Sequence, residues 1–160
     1  MPVNEADVEA QAVDEPGARF RRKKLGAADG SEDLGASLHE VPPGESAWPY
    51  HYHTANEEAL YVLSGTGTLR LAGEEHALEP GDYAAFLADE SGAHAVRNDG
   101  DGPLRFLVVS TMVEPEVLVY PDSDKVGALA GAPPGEYEGR TVEAYFRRSD
   151  AVDYWDDETE

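Results

Sequence analysis

The chain is predicted to be all-β, a sandwich or barrel, and three features of the sequence lead there. Short segments rich in Val, Leu and Tyr recur from Ala36 onward, as half-buried pleated strands require. Turn chemistry separates them at Pro42-Pro43-Gly44, Gly65-Thr66-Gly67, Ala72-Gly73, Pro80-Gly81-Asp82, Asn98-Asp99-Gly100 and Asp101-Gly102-Pro103. No window keeps an apolar period near about 3.6 between recognisable caps, so long amphipathic helices are not expected.

Residues 1 to 17 combine few large apolar groups with high charge and no period, and are read as a disordered acidic segment. The basic run "RFRRKK", Arg19 to Lys24, admits two readings. It is an anion site, or a first strand whose cations pair with the abundant carboxylates. The segments "ALYVL" (59–63), "TLRLA" (68–72), "DYAAFLA" (82–88), "HAVRN" (94–98), "PLRFLVVSTM" (103–112) and "EVLVY" (116–120) read as strands. The barrel domain is therefore expected over 18–120. Residues 121–160 are expected to form an irregular Gly/Pro-rich extension, partly docked through Tyr154 and Trp155 and ending in an acidic tail. There is no internal repeat.

The length of 160 residues suits one domain. There is no cysteine, so a bound metal must be held by nitrogen and oxygen. The formal net charge of −21, from 33 acidic against 12 basic residues, makes nucleic acid and anionic membrane poor partners. About half of that excess lies in the body of the chain, a pattern suited to concentrated salt. The screening length there falls to roughly 3 Å at molar ionic strength and tames self-repulsion. A halophilic cytoplasm is the expected location, since the start carries no basic leader and no apolar run would span a bilayer.

The chemistry concentrates in "HYHTANEE". In a strand, residues two apart share a face, so His51 and His53 project to one side about 7 Å apart along the chain. A lone His-x-His pair is commonly a surface or crevice pair. Glu58, immediately before an apolar strand, and His94, which begins another, raise it to a metal site. Three neutral imidazoles and one carboxylate suit a divalent first-row cation and leave coordination positions open to chemistry.

These residues resemble the cupin superfamily. Its first motif is filled by Gly44, His51, His53, Glu58 and Gly65, and its second by Gly81, His94 and Asn98. Two departures stand out: the spacer after Gly44 is one residue longer than usual, and "LADESGAH" lacks the usual proline and is about two residues longer. The resemblance covers roughly 35 to 120 and implies a double-stranded β-helix, a jelly-roll barrel with irregular terminal extensions. It also implies a divalent transition metal, Mn, Fe, Ni, Cu or Zn, on His51, His53, Glu58 and His94, and a homodimer.

If Glu58 points inward, Leu60 and Val62 follow it, with Phe86 and Arg105 as further pocket candidates and Asn98 as a support for the ligands. Glu57 then points outward. His39 and His76, each beside a glutamate, are expected to be exposed. Tyr50, Tyr52, Tyr61 and Leu63 fall on outer faces and are expected to lie beneath a second chain or the terminal segments. The function expected is that of a metal-dependent enzyme on a small oxygenated metabolite, a sugar phosphate, hydroxy acid or keto acid, working as isomerase, dioxygenase, lyase or decarboxylase. The alternative is a non-catalytic metal or small-ligand binding module with a regulatory or storage role. No general acid or base announces itself.

Overall fold

In a computed structural model that describes residues 1–159, thirteen strands make up most of the regular secondary structure. They are β1 (Gln11–Glu15), β2 (Ala18–Lys24), β3 (Leu34–Val41), β4 (Tyr52–His53), β5 (Glu58–Ser64), β6 (Gly67–Leu71), β7 (Glu74–Leu78), β8 (Tyr83–Phe86), β9 (His94–Arg97), β10 (Leu104–Thr111), β11 (Glu116–Tyr120), β12 (Lys125–Ala130) and β13 (Val142–Arg147). One short helix, α1 (Leu25–Asp29), follows β2. Among the described residues no helix is long and apolar enough to cross a membrane.

The strands form antiparallel sheets in the orders β1-β2-β3-β10-β5-β8, β13-β12-β11-β4 and β7-β6-β9. A backbone bridge between His51 and His94 joins the two smaller sheets. Leu60, Val62, Leu104 and Phe106 of the large sheet pack with Leu69, Leu78 and Val96 of the small one in a single core. Removing each of these side chains from water contributes about 1.5–3 kcal/mol. This two-walled, antiparallel arrangement is the jelly roll expected from the sequence.

Pleat alternation in β5 follows the expected parity: Leu60 and Val62 are buried, whereas Tyr61 and Leu63 are exposed. The strand ends at Gly65, where φ is +82° and a Cβ would stand 2.2 Å from the Pro103 carbonyl oxygen. Only glycine fits that crossing, which sets β5 against β10 and brings Glu58 to the mouth of the barrel.

Both ends of the chain differ from their expected irregularity. Within 1–17, β1 pairs with β2 across the Pro16-Gly17 turn, and Val13 packs against the core. Upstream, Arg105 grips the Glu5 carboxylate at 2.9 and 2.8 Å, and Lys23 donates to the Glu5 carbonyl at 2.6 Å. Composition predicts low cohesion for an isolated segment, but here a ladder and neighbouring cations order it. Past residue 120, β12 adds to β11 and β13 to β12, so the sheet runs well into the extension. Tyr154 and Trp155 meet edge to face, ring centroids 4.8 Å apart, and both are exposed. The last residue of the acidic tail lies outside the described residues.

Candidate metal centre

Three strands and one loop carry the candidate ligands. His51 precedes β4, His53 ends it, Glu58 opens β5 and His94 opens β9, next to His51 through the backbone bridge. All three imidazoles are buried. His51, His53 and Glu58 offer one ligand atom each within 4.8 Å of one another. His94 stands just outside that trio, with its Nε2 3.4 Å from Glu58 Oε2 and its ring centroid 4.8 Å from that of His51. The four residues singled out in the sequence thus lie near one another, with His51, His53 and Glu58 meeting most closely and His94 flanking them.

Each imidazole is oriented through its Nδ1. His51 Nδ1 pairs with the Pro49 carbonyl at 2.7 Å, His94 Nδ1 with the Gly92 carbonyl at 2.8 Å, and His53 Nδ1 with Glu116 Oε2 at 3.1 Å. An Nδ1–H donating to an oxygen leaves the Nε2 lone pair free for a cation, the arrangement metal-binding histidines use. Phe86 fixes the other side of His94 by stacking at 3.7 Å. The donor set and its tautomers thus fit a divalent transition metal.

The electrostatics agree. Burial pushes the pKa of His51 down to about 3, helped by His94 and His53. Burial also lowers His94, so both rings are neutral ligands at ordinary pH. Burial opposes charge on His53 too, but Glu116 and Glu58 outweigh it and shift this ring upward. Burial likewise disfavours the Glu58 carboxylate, yet the His53 hydrogen bond and nearby imidazoles hold it below the usual range. The two carboxylates that flank His53, Glu58 at 3.2 Å and Glu116 at 3.1 Å, make this a place where positive charge is welcome.

Glu116 escaped sequence reasoning. It is 1% exposed, and besides His53 its carboxylate accepts from the backbone N–H groups of Thr54 and Ala55, both at 3.0 Å, and from Asn56 Nδ2 at 2.5 Å. A lone acid at the head of the apolar strand "EVLVY" was the available signal.

Other expected residues fall elsewhere. Arg105 points away from the pocket, because Phe106 beside it takes the inward face, and it pairs with Glu5 and Glu40. Asn98 is buried but pins a turn: it donates to the Val41 and Gly102 carbonyls, each at 2.8 Å, and accepts from Gly100 N–H at 2.9 Å. It sits at the far end of β9 and does not support the ligands. Val62 belongs to the deep core, whereas Leu60 and Phe86 line the cavity as expected. His39 is 3% exposed rather than open to solvent. Its ring lies between Phe20 and Phe106, at centroid distances of 5.5 and 5.2 Å, and its Nε2 accepts from Trp48 Nε1 at 3.3 Å. Parity explains the error, since inward Val41 carries its i−2 neighbour inward. His76 and Glu57 are exposed, as read.

The ligands open into a cavity of about 520 Å³ between the sheets. Its outer wall comes from the extension beyond residue 120, including Tyr137, Arg140, Glu143 and Tyr145. Tyr120 stacks over His51 at 5.8 Å, and burial raises its hydroxyl to about 12, so it stays a neutral donor.

The fold and site define a jelly-roll barrel with buried imidazoles and a carboxylate at its mouth, a group that could hold a metal ion through nitrogen and oxygen. Residues 37–110 match the Cupin domain family. A proposed sugar phosphate isomerase from Acidithiobacillus ferrooxidans superposes with a TM-score of 0.76 at 31% identity, covering 91% of this chain and 88% of that one. A sugar phosphate isomerase of the cupin superfamily from Silicibacter pomeroyi gives 0.77 at 26% identity, over 96% and 97%. The chain belongs to the cupin superfamily. It is also 34% identical over 96 residues to the tetracenomycin polyketide synthase protein TcmJ of Streptomyces glaucescens, 59% of this chain. It spans 62–63% of the length of the curated relatives it matches.

Proposed function

We propose that the protein is a metal-dependent cupin acting on a small oxygenated metabolite, with sugar phosphates the first class to test and hydroxy or keto acids the next. The observation that carries this reading is the set of three Nδ1-anchored imidazoles with Glu58, aimed into a cavity large enough for a metabolite. His51, His53, Glu58 and His94 would hold the metal. A bound divalent cation, Mn, Fe, Ni, Cu or Zn, supplies Lewis acidity and a template for two substrate oxygens. The chain's own part is to orient and to exclude water. Leu60 and Phe86 dry one side of the cavity, and the neutral Tyr120 hydroxyl can donate to a substrate oxygen. The names of the Acidithiobacillus and Silicibacter proteins support the sugar phosphate class.

The test is to load the full chain with each of these metals in turn and follow aldose and ketose phosphates by NMR. Interconversion that disappears when His51 and His53 are both replaced by alanine is the expected result. Tight metal binding without turnover of any sugar phosphate, hydroxy acid or keto acid would instead mark a non-catalytic binding module.

A homodimer is part of the proposal. Tyr61 and Leu63 share the outer face of the large sheet with Tyr83 and Val109, exposed by 44, 42, 67 and 39% respectively, and Tyr61 is the direct cross-strand partner of Tyr83. An apolar patch of this kind, running inward from the edge strand β8 across β5 to β10, suits a second copy of the chain. Tyr50 and Tyr52 do not share this surface. Tyr52 opens β4 and Tyr50 precedes it, and Tyr50 is covered by Arg70, whose guanidinium lies 3.7 Å from the ring centroid. The acidic body suits a cytoplasm rich in salt. Light scattering in molar KCl should give twice the chain mass, and Leu63→Lys should halve it; a wild-type monomer would refute the dimer.

A further inference from the structure

Across the cavity from the metal ligands, three of the chain's twelve Lys and Arg residues line one wall. Arg22 and Lys24 stand two apart on β2 and so share a face. Arg140 comes from the loop between β12 and β13. In a chain with 33 acids the ordinary fate of a cation is a carboxylate, and two of the three meet one. Lys24 pairs with Glu136 at 3.3 Å and Arg140 with Glu143 at 3.3 Å.

Arg22 does not. Among the described residues its side chain has no carboxylate within ion-pair distance and makes no hydrogen bond, and its Nε–H is sealed from solvent without an acceptor. Its guanidinium lies against the face of Trp48, 5.2 Å from the ring centroid. Trp48 is itself tied to His39. Arg140 shares one part of this: its side chain is 8% exposed and its Nε–H also lacks a partner, although its terminal nitrogens meet Glu143 and donate to the Pro133 carbonyl at 2.8 Å and to the Glu136 carbonyl. Buried donors are almost always paired, because an N–H stripped of water and given no acceptor is destabilising. Two such donors on guanidinium groups in one cavity indicate a missing acceptor that carries negative charge.

We infer that Arg22 and Arg140 form an oxyanion subsite in the cavity, which takes the phosphoryl or carboxylate group of a substrate whose other oxygens face His51, His53 and Glu58. The guanidinium fork meets two oxygens of such a group at once, which an ammonium cannot do. Trp48 backs the Arg22 fork, and Lys24 adds positive potential while it ties down the loop at Gly135 and Glu136. The inference rests on the cavity being the substrate site proposed above. It requires neither turnover nor a particular metal.

Trp48 provides the readout. In the full chain carrying Trp155→Phe, Trp48 is the sole tryptophan, and inorganic phosphate and acetate are titrated separately at constant ionic strength, with metal content measured alongside. The expected result is a saturable change in Trp48 emission. Arg22→Gln weakens it at least tenfold at unchanged melting temperature and metal content, Arg22→Lys recovers only part of it, and Arg148→Gln, a cation outside the cavity, leaves it alone. Tighter phosphate assigns a phosphoryl group, and tighter acetate a carboxylate. Should Arg22→Gln fold poorly, Arg140→Gln repeats the comparison. Absence of saturable binding by either anion, or binding indifferent to both arginines, overturns the inference. Loss of metal from the histidine variants with anion binding intact would instead count against the metal-centred function alone.

Discussion

Replacing His51 and His53 together by alanine is expected to reduce the metal content of the purified protein from about one ion per chain to background. Both rings are held through Nδ1, His53 Nε2 lies 3.2 Å from Glu58 Oε2, and His51 offers a ligand atom within 4.8 Å of those of His53 and Glu58, so the double replacement takes away two of the candidate ligands. Glu116→Gln tests the support beneath them. Loss of the carboxylate that orients His53 should weaken metal affinity about 10–100-fold, measured by competition with a coloured chelator. It should also lower the melting temperature, because the Thr54 and Ala55 N–H groups lose a charged acceptor. An unchanged metal content in the double alanine variant would leave an acidic barrel whose buried histidines serve packing alone.

Acid should destabilise the fold through His39, which is not one of the candidate ligands. Burial drives the pKa of His39 down to about 4, with Arg22 adding to the effect and the Ser37 carbonyl and Glu58 opposing it. In the unfolded chain the ring titrates near about 6.5. Because the folded value is the lower one, the unfolded state takes up the proton first as pH falls. The contribution of neutral His39 is therefore complete above pH ~6.5 and is lost progressively towards pH ~4, a total of about 3 kcal/mol. That is a large share of the stability of a small domain, about 5–15 kcal/mol. Urea midpoints from pH 7.5 to 4, in chelator and molar salt, should fall more steeply for the parent than for His39→Gln. Parallel slopes would mean that His39 stays neutral in both states or that water reaches it in the fold.

Much of the site was readable from local order. The two-residue period of a strand placed His51 with His53 and Glu58 with Leu60, and the turn residues divided the chain into strands that largely recur in the structure. The failures share one physical cause. Alternation assigns a residue to a face, but it does not say what covers that face. His39 and Glu40 both sit in a strand with polar neighbours, and only the aromatic pair Phe20 and Phe106 makes the histidine side the interior. Arg105 and Phe106 differ by one position, and the neighbouring strand register sends the phenylalanine inward. Glu116 lies 63 positions from His53, beyond the reach of any spacing rule. The extension beyond residue 120 looked irregular because its strands, β12 and β13, are short and interrupted by glycine and proline, and they exist only because β11 offers an edge to pair with.

From its amino acids alone, this protein was bound to be a β-barrel without thiolate chemistry, strongly acidic, with imidazoles and a carboxylate phased for one face, since composition and alternation are local properties of the chain. Which imidazoles meet most closely, which carboxylate steadies them, and that Arg22 faces the cavity without an acidic partner were decided by tertiary structure. Those facts depend on the pairing of distant strands, and the free energy that selects such a pairing comes from the whole buried core.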